Sequence, residues 1–202
     1  RAYSVMMTEP RGPIYMCYDA WLQEQPLDHE VAMPPVGAAK VPTRIAAEPD
    51  ALAAAADLVA AAARPVIIAE YVGREAEGFH ALVALAETAG IPVYDVDSRL
   101  NFPNRHPLNM SHAKDVFRDA DLVLCLDTRD WEKPTTELVS ATREVASIVP
   151  PGAKWIDIGF GDLELSSWAL DYQRLHHADL QILADTTIAI PALTRLLETR
   201  IA

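Results

Sequence analysis

Pro65-Val66-Ile67-Ile68-Ala69-Glu70-Tyr71-Val72-Gly73 is the stretch on which the fold turns. An apolar run rich in β-branched residues lies between a proline and a turn, which suits a short strand buried on both faces of a parallel sheet. A helix is expected next. From Glu75 to Ala89, Phe79, Leu82, Val83 and Ala86 recur at offsets of three and four, and Gly90 stands where a left-handed C-terminal cap belongs. Ile91 to Val96 reads as the following strand. Such a strand, helix, strand unit is a right-handed crossover, and the loop after its first strand is where open α/β sheets take ligands.

Outward from this unit the alternation continues. Pro49 suits the first turn of a helix whose Leu52, Ala55, Ala56 and Val59 form a buried face ending at Arg64-Pro65. Ser98 to His112 is irregular, and a short helical piece is expected around Ala113 to Arg118. Ala120 to Asp127 is the clearest strand. A helix is expected from Thr135 to Ser147, closed by Pro150-Pro151-Gly152. Lys154 to Ile158 and Leu180 to Leu183 read as further strands. Asp185 caps a final helix with Ile188, Ala192, Leu193, Leu196 and Leu197 inward. The pattern predicts a three-layer, Rossmann-like, doubly wound α/β fold with a parallel sheet of about five or six strands.

The first part differs. Residues 1–10 read as a helix end, Arg11-Gly12-Pro13 as a turn, and Ile14 to Tyr18 as a strand. From Gln23 to Pro49 prolines punctuate an aperiodic segment that also carries Leu27, Val31, Met33 and Val36, a linker ordered by contact. The expected division is residues 1–22, a remnant of a preceding domain; 23–47, a linker; and 48–202, the main domain. The opening Arg1-Ala2-Tyr3 has no initiator Met and no signal-peptide layout, so a piece of a longer protein is expected.

The formal charge of −12 over 202 residues argues against nucleic-acid or anionic-membrane partners, because phosphates are held mainly by excess Lys and Arg. No apolar run reaches the ~18 residues of a membrane span. Cys17 and Cys125 lie in apolar, strand-like runs and read as reduced core thiols of a cytoplasmic protein, with no disulfide and no zinc site. His176-His177 read as a surface pair. Trp131, Trp155 and Trp168 suit either core packing or a patch against another domain.

At two places the residues resemble thiamine-diphosphate-dependent enzymes. Arg1-Ala2 through Arg11-Gly12-Pro13-Ile14-Tyr15 is similar to the end of their pyrimidine-binding domain. Residues from about 48 to 200 resemble their central domain, of the acetohydroxyacid synthase, benzoylformate decarboxylase and oxalyl-CoA decarboxylase type. That likeness is carried by Arg64-Pro65-Val66-Ile67-Ile68, Leu85-Ala86-Glu87, Gly90-Ile91-Pro92-Val93, His106-Pro107, Asp119 to Leu124, and Ile156-Asp157-Ile158 in linked order. The resemblance implies a parent with thiamine diphosphate and magnesium that forms homodimers or tetramers. It also implies a non-catalytic fragment, since the glutamate that activates thiamine and the Gly-Asp-Gly motif lie in other domains; Gly161-Asp162 is followed here by Leu163.

Some central domains of this kind bind flavin adenine dinucleotide or an adenine nucleotide, and others bind nothing. A phosphate needs unhindered N–H groups, hence glycines, after the first strand. Here Ala69-Glu70-Tyr71-Val72 leaves only Gly73, which disfavours flavin. Arg74, Arg99 and Arg129 each follow a predicted strand and suit phosphate; the competing reading pairs them with Asp97, Asp127 and Asp130. Arg129 matches an arginine of the flavin-binding synthases, but Asp127 and Gly159 stand where those have glycine and aspartate. Asp95, Asp97 and Asp157 suit caps, or a ribose or cation. The candidate nucleotide crevice is therefore Gly73, Arg74, Ser98, Arg129 and Asp157. The alternative of another class is a stand-alone nucleotide-binding module of the electron-transfer-flavoprotein or deoxyhypusine-synthase-like type.

Overall fold

The computed structural model describes residues 1–35, 37–96, 98–164 and 177–201. Val36, Asp97, Trp168 and His176 lie outside the described residues. The chain divides into two compact units, Arg1–Arg44 and Ile45–Ala202.

The first unit holds two one-turn helices, α1 (Ala2–Met6) and α2 (Ala20–Glu24). Asp19 caps α2 by accepting from the Trp21 N–H at 2.9 Å. The expected strand at Ile14–Tyr18 does not form. A strand needs a neighbour for its backbone groups, and this segment has no ladder partner among the described residues. Its side chains are exposed, Tyr15 at 92%, and so is Cys17, which corrects its placement in a core.

The second unit starts with α3 (Pro49–Ala61), whose first-turn N–H groups at Asp50 and Ala51 donate to the Glu48 carboxylate. β1 (Pro65–Ala69), α4 (Ala76–Ala89) and β2 (Val93–Asp95) follow as the expected crossover, and Gly90 takes φ +66° at the end of α4. The buried stripe of α4 is Gly78, Leu82, Leu85 and Ala86, with Phe79 and Val83 at its margin. A 3-10 turn spans Lys114–Phe117 before β3 (Leu122–Leu126).

After β3 the expected helix is replaced. Only α5 (Glu132–Thr135) is helical; the chain then makes an antiparallel hairpin of β4 (Thr136–Val139) and β5 (Glu144–Ser147), in register Thr136 to Ser147 and Val139 to Glu144. Thr135, Thr136, Val139, Thr142 and Val145 favour extended backbone. Arg143, at φ +60°, closes the loop with its N–H on the Val139 carbonyl at 2.8 Å. β-branched content and the turn at Arg143 therefore give a hairpin where a helix was expected over Thr135 to Ser147.

β6 (Lys154–Ile158), β7 (Leu180–Ile182) and α6 (Thr186–Ile201) complete the unit. Asp185 caps α6, its Oδ1 accepting from the Thr187 N–H at 2.9 Å and hydroxyl at 2.6 Å. Ala189, Ile190, Leu193 and Leu197 face inward, whereas Ile188, expected there, is exposed because the apolar stripe is rotated by about one residue.

The sheet is parallel throughout, in the order β2-β1-β3-β6-β7. Its two faces are separated by strand alternation. Ile67, Ala69, Leu122, Leu124 and Leu126 meet α3, α4 and α6 in one core. Val66, Ile68, Val123 and Cys125 meet Phe117, Trp131, Ile148 and Val149 in the other. Trp131 belongs to this second core and stacks on Trp155, ring centroids 5.8 Å apart. No described helix is long and apolar enough to cross a membrane.

Candidate functional site

The strand order reverses between β1 and β3, so their carboxyl ends frame the crevice at which such sheets take ligands. The first residue beyond β1 is Glu70, 5% exposed. Its Oε2 accepts the N–H groups of Arg129 at 2.7 Å and Asp130 at 3.4 Å. Its Oε1 accepts the Ser98 hydroxyl at 3.1 Å and lies 3.5 Å from Nη2 of Arg129. Burying a carboxylate costs several kcal/mol unless such donors replace its water. The loops after β1, β2 and β3 are therefore tied to one side chain.

A second knot centres on Asp127, 3% exposed and held at φ +47°. Its Oδ1 accepts the Phe160 N–H at 3.0 Å, and its Oδ2 accepts from the Thr186 hydroxyl and from Nη1 of Arg74. The same Nη1 donates to the Tyr71 carbonyl at 3.2 Å, and Nη2 lies 3.5 Å from Asp185. A Cβ on Gly159 would lie 2.4 Å from Oδ1 of Asp127, and one on Gly161 would lie 2.3 Å from the Thr128 carbonyl. Both glycines serve close backbone approach.

A third knot holds the loop after β2. Asp95 accepts from the N–H groups of Asn101 at 2.9 Å and Phe102 at 3.1 Å, and from the Asn101 amide at 2.7 Å. The Asn101 Oδ1 in turn accepts the Gly73 N–H at 2.9 Å.

The five predicted crevice residues thus separate into four places. Gly73 and Arg74 join the Asn101 and Asp127 knots, while Ser98 and Arg129 surround Glu70. Asp157 lies within β6, buried beside Cys125 of β3. Burial, with Asp157 and Glu70 nearby, pushes the Cys125 thiol well above its usual range. Arg99 and Arg129 both stand over the Tyr71 ring, at 5.9 and 4.0 Å. Asn101 and Thr186, which organise two of these knots, had no signal in the sequence. Each is a lone polar residue in a loop or at a helix start, and only its partner's position marks it.

The family profile described as "Thiamine pyrophosphate enzyme, central domain" matches residues 52–193, more than half of the chain. The chain belongs to this family. Among solved structures, a Mycobacterium smegmatis chain described as a thiamin diphosphate-dependent enzyme superposes with TM-score 0.67 at 22% identity, covering 96% of this chain and 35% of that one. Benzoylformate decarboxylase from Polynucleobacter necessarius gives 0.68 at 17%, covering 96% and 34%. At these identities the structures speak for the fold. The chain spans about a third of the length of either. A stand-alone nucleotide module is not favoured by these matches.

Thiamine diphosphate, which the family name carries, can be tested against this central-domain edge. A diphosphate asks for free N–H donors and cations. Here the amides of Gly73, Phe160, Arg129 and Asp130 donate to Asn101, Asp127 and Glu70, and three buried carboxylates, Glu70, Asp127 and Asp185, crowd the edge. This donor set does not fit the cofactor. Among the described residues no group of three or more His, Cys, Asp or Glu is arranged to hold a metal.

Proposed function

We propose that this chain is the non-catalytic central domain of a thiamine-diphosphate-dependent enzyme acting on 2-keto acids or related acyl donors, of the decarboxylase or acetolactate synthase-like type. Thiamine diphosphate and magnesium belong to the other domains of the parent, which is cytoplasmic and forms a homodimer or tetramer. Residues 1–22 are the end of its pyrimidine-binding domain and 23–47 the connection. The central domain spaces the two cofactor-binding domains and supports the assembly, without contributing a group to the reaction.

The observation that carries this reading is the filled carboxyl edge. Its amides and arginines are engaged with the chain's own Glu70, Asp127 and Asp185, in a chain that matches the central domain over residues 52–193. The test is thermal unfolding of the 202-residue chain with flavin adenine dinucleotide, ADP or coenzyme A at saturating concentration. An unchanged Tm supports the structural role; a saturable rise overturns it. In the full-length protein, carbon dioxide release from a panel of 2-keto acids that depends on thiamine diphosphate supports the parent activity. No turnover with any 2-keto acid or acyl donor would remove it.

A second reading places a nucleotide at Gly73, Arg74, Ser98, Arg129 and Asp157. It is favoured by one feature, the Tyr71 ring flanked by Arg99 and Arg129, which offers a stacking and cationic surface at the rim.

A further inference from the structure

We propose that the crevice between β1 and β3 is a self-liganded oxyanion cradle. The Glu70 carboxylate occupies, from within the chain, a site formed by the N–H groups of Arg129 and Asp130, the Arg129 guanidinium and the Ser98 hydroxyl. A small external oxyanion, a carboxylate or phosphate, takes that place once the Glu70 side chain is removed.

Four donor groups from two separate loops converge on one buried carboxylate, two on each oxygen. Charge-assisted bonds of this kind are the stronger class, and both carboxylate oxygens are used. The cradle is independent of the short α5, whose own N–H groups at Glu132 and Lys133 donate to Asp130 at 2.9 and 3.0 Å. Asp130 therefore contributes its N–H to the cradle while its carboxylate is engaged elsewhere. The Tyr71 ring, 4.0 Å from the Arg129 guanidinium carbon, holds the arginine fork against Glu70. Nε of Arg129 is buried with no hydrogen-bond partner among the described residues, so the guanidinium retains a donor for a further oxygen.

The location gives the arrangement its meaning. Glu70 is the first residue past β1, at the reversal of strand order where an open α/β sheet presents its ligand site. The chain supplies the anion that an external ligand would otherwise bring. In the wild-type protein this closes the crevice to outside anions and ties three loops together. The inference rests on reading that edge as closed, and the two fail differently: a Tm rise of the wild-type chain with a nucleotide overturns the closed edge, whereas the cradle is judged on Glu70 variants and simple anions.

The test uses the 202-residue chain and its Glu70→Ala variant, with formate, acetate and inorganic phosphate as probes at constant ionic strength. The expected result is a lowered Tm for Glu70→Ala, most of which a probe restores in a saturable manner, while chloride does not. The wild-type Tm stays unmoved by the same probes. Rescue by formate or acetate alone identifies a carboxylate-sized cradle, and rescue by phosphate as well identifies a general oxyanion site; both support the proposal. Adding Arg129→Ala to Glu70→Ala abolishes the rescue. A folded Glu70→Ala protein indifferent to all three anions overturns the proposal. Should that variant not fold, Glu70→Gln keeps the volume and removes the charge. Its Arg129 and Asp130 amide resonances then shift and their hydrogen exchange accelerates, and unchanged resonances and exchange overturn the cradle.

Discussion

Asp127 and Gly159 share one space: the Asp127 Oδ1 sits 2.4 Å from where a Cβ on Gly159 would be, so the acid is possible only because the facing residue has no side chain. Asp127 is at φ +47° and Gly159 at φ +145°. Replacing Gly159 with Ala combines a steric overlap with a backbone conformation that alanine avoids, and the expected loss is ~2 kcal/mol or more. Urea unfolding at unchanged m-value measures it. Coupling with Asp127→Gly, which removes the carboxylate and leaves only the residue 127 Cα at 2.9 Å, should return part of that loss; strictly additive losses would show that the two side chains do not compete.

Arg74 and Asp127 form a mostly buried ion pair, with Asp185 beside the same guanidinium. Removing one partner leaves an uncompensated charge, so Arg74→Ala should cost ~3–5 kcal/mol. Arg74→Met with Asp127→Asn should cost less than the sum of the single changes, because the two charges of the pair leave together and only Asp185 keeps a buried charge. Chemical denaturation of the four proteins of that cycle gives the coupling directly.

Gly73 approaches the Leu100 backbone so closely that an added Cβ would lie 2.0 Å from the carbonyl oxygen. Gly73→Ala is expected to displace the loop after β2, breaking the bond from the Gly73 N–H to Asn101. Amide hydrogen exchange should rise at Gly73, Asn101 and Phe102 while the β3 amides keep their protection.

The two cysteines should behave oppositely towards a thiol reagent. Cys17 is exposed, and Cys125 is buried in β3 with its thiol held well above the usual range by burial, then by Asp157 and Glu70. An aromatic disulfide reagent should titrate one thiol promptly in the native protein and the second only on unfolding. Cys17→Ser should remove the fast phase and leave the slow one.

Acid stability should depend on Asp179 and Asp121. The Asp179 carboxyl is lowered by its hydrogen bond to Lys154 and by the Trp155 N–H. At Asp121 burial pushes the carboxyl up, but hydrogen bonds from the N–H groups of Arg64 and Ala63 outweigh it and lower it. A folded pKa below the unfolded value of about 3.9 means stability that is present above that pH and lost as pH falls through the folded value. Asp179→Asn should therefore flatten the acid limb of a stability profile while removing some stability at neutral pH. An acid limb identical to that of the wild type would refute the assignment.

The parallel sheet was legible from the apolar runs at Val66–Ala69 and Leu122–Leu126, because residues buried on both faces leave a continuous signal. The cap at Gly90 was equally plain, since its left-handed backbone restricts the residue that can stand there. The hairpin at Thr136–Ser147 was not legible, because its residues fit a helical period and only the turn at Arg143 and the ladder decide against it. The strand expected at Ile14–Tyr18 failed for the complementary reason: extended propensity makes a strand only where a neighbour supplies hydrogen bonds.

At the carboxyl edge the same division holds. Arginines after successive strands could be placed at that edge from order alone, and Arg74 and Arg129 are there. Their partners could not be named, because Glu70 lies 59 positions from Arg129, and Asp127 lies 53 from Arg74. What the sequence by itself determined is the succession of strands and helices, since periodic burial and turn chemistry are local. The tertiary structure alone decided that the crevice is filled by the chain's own carboxylates, because a buried charge takes whatever donors the folded loops bring to it.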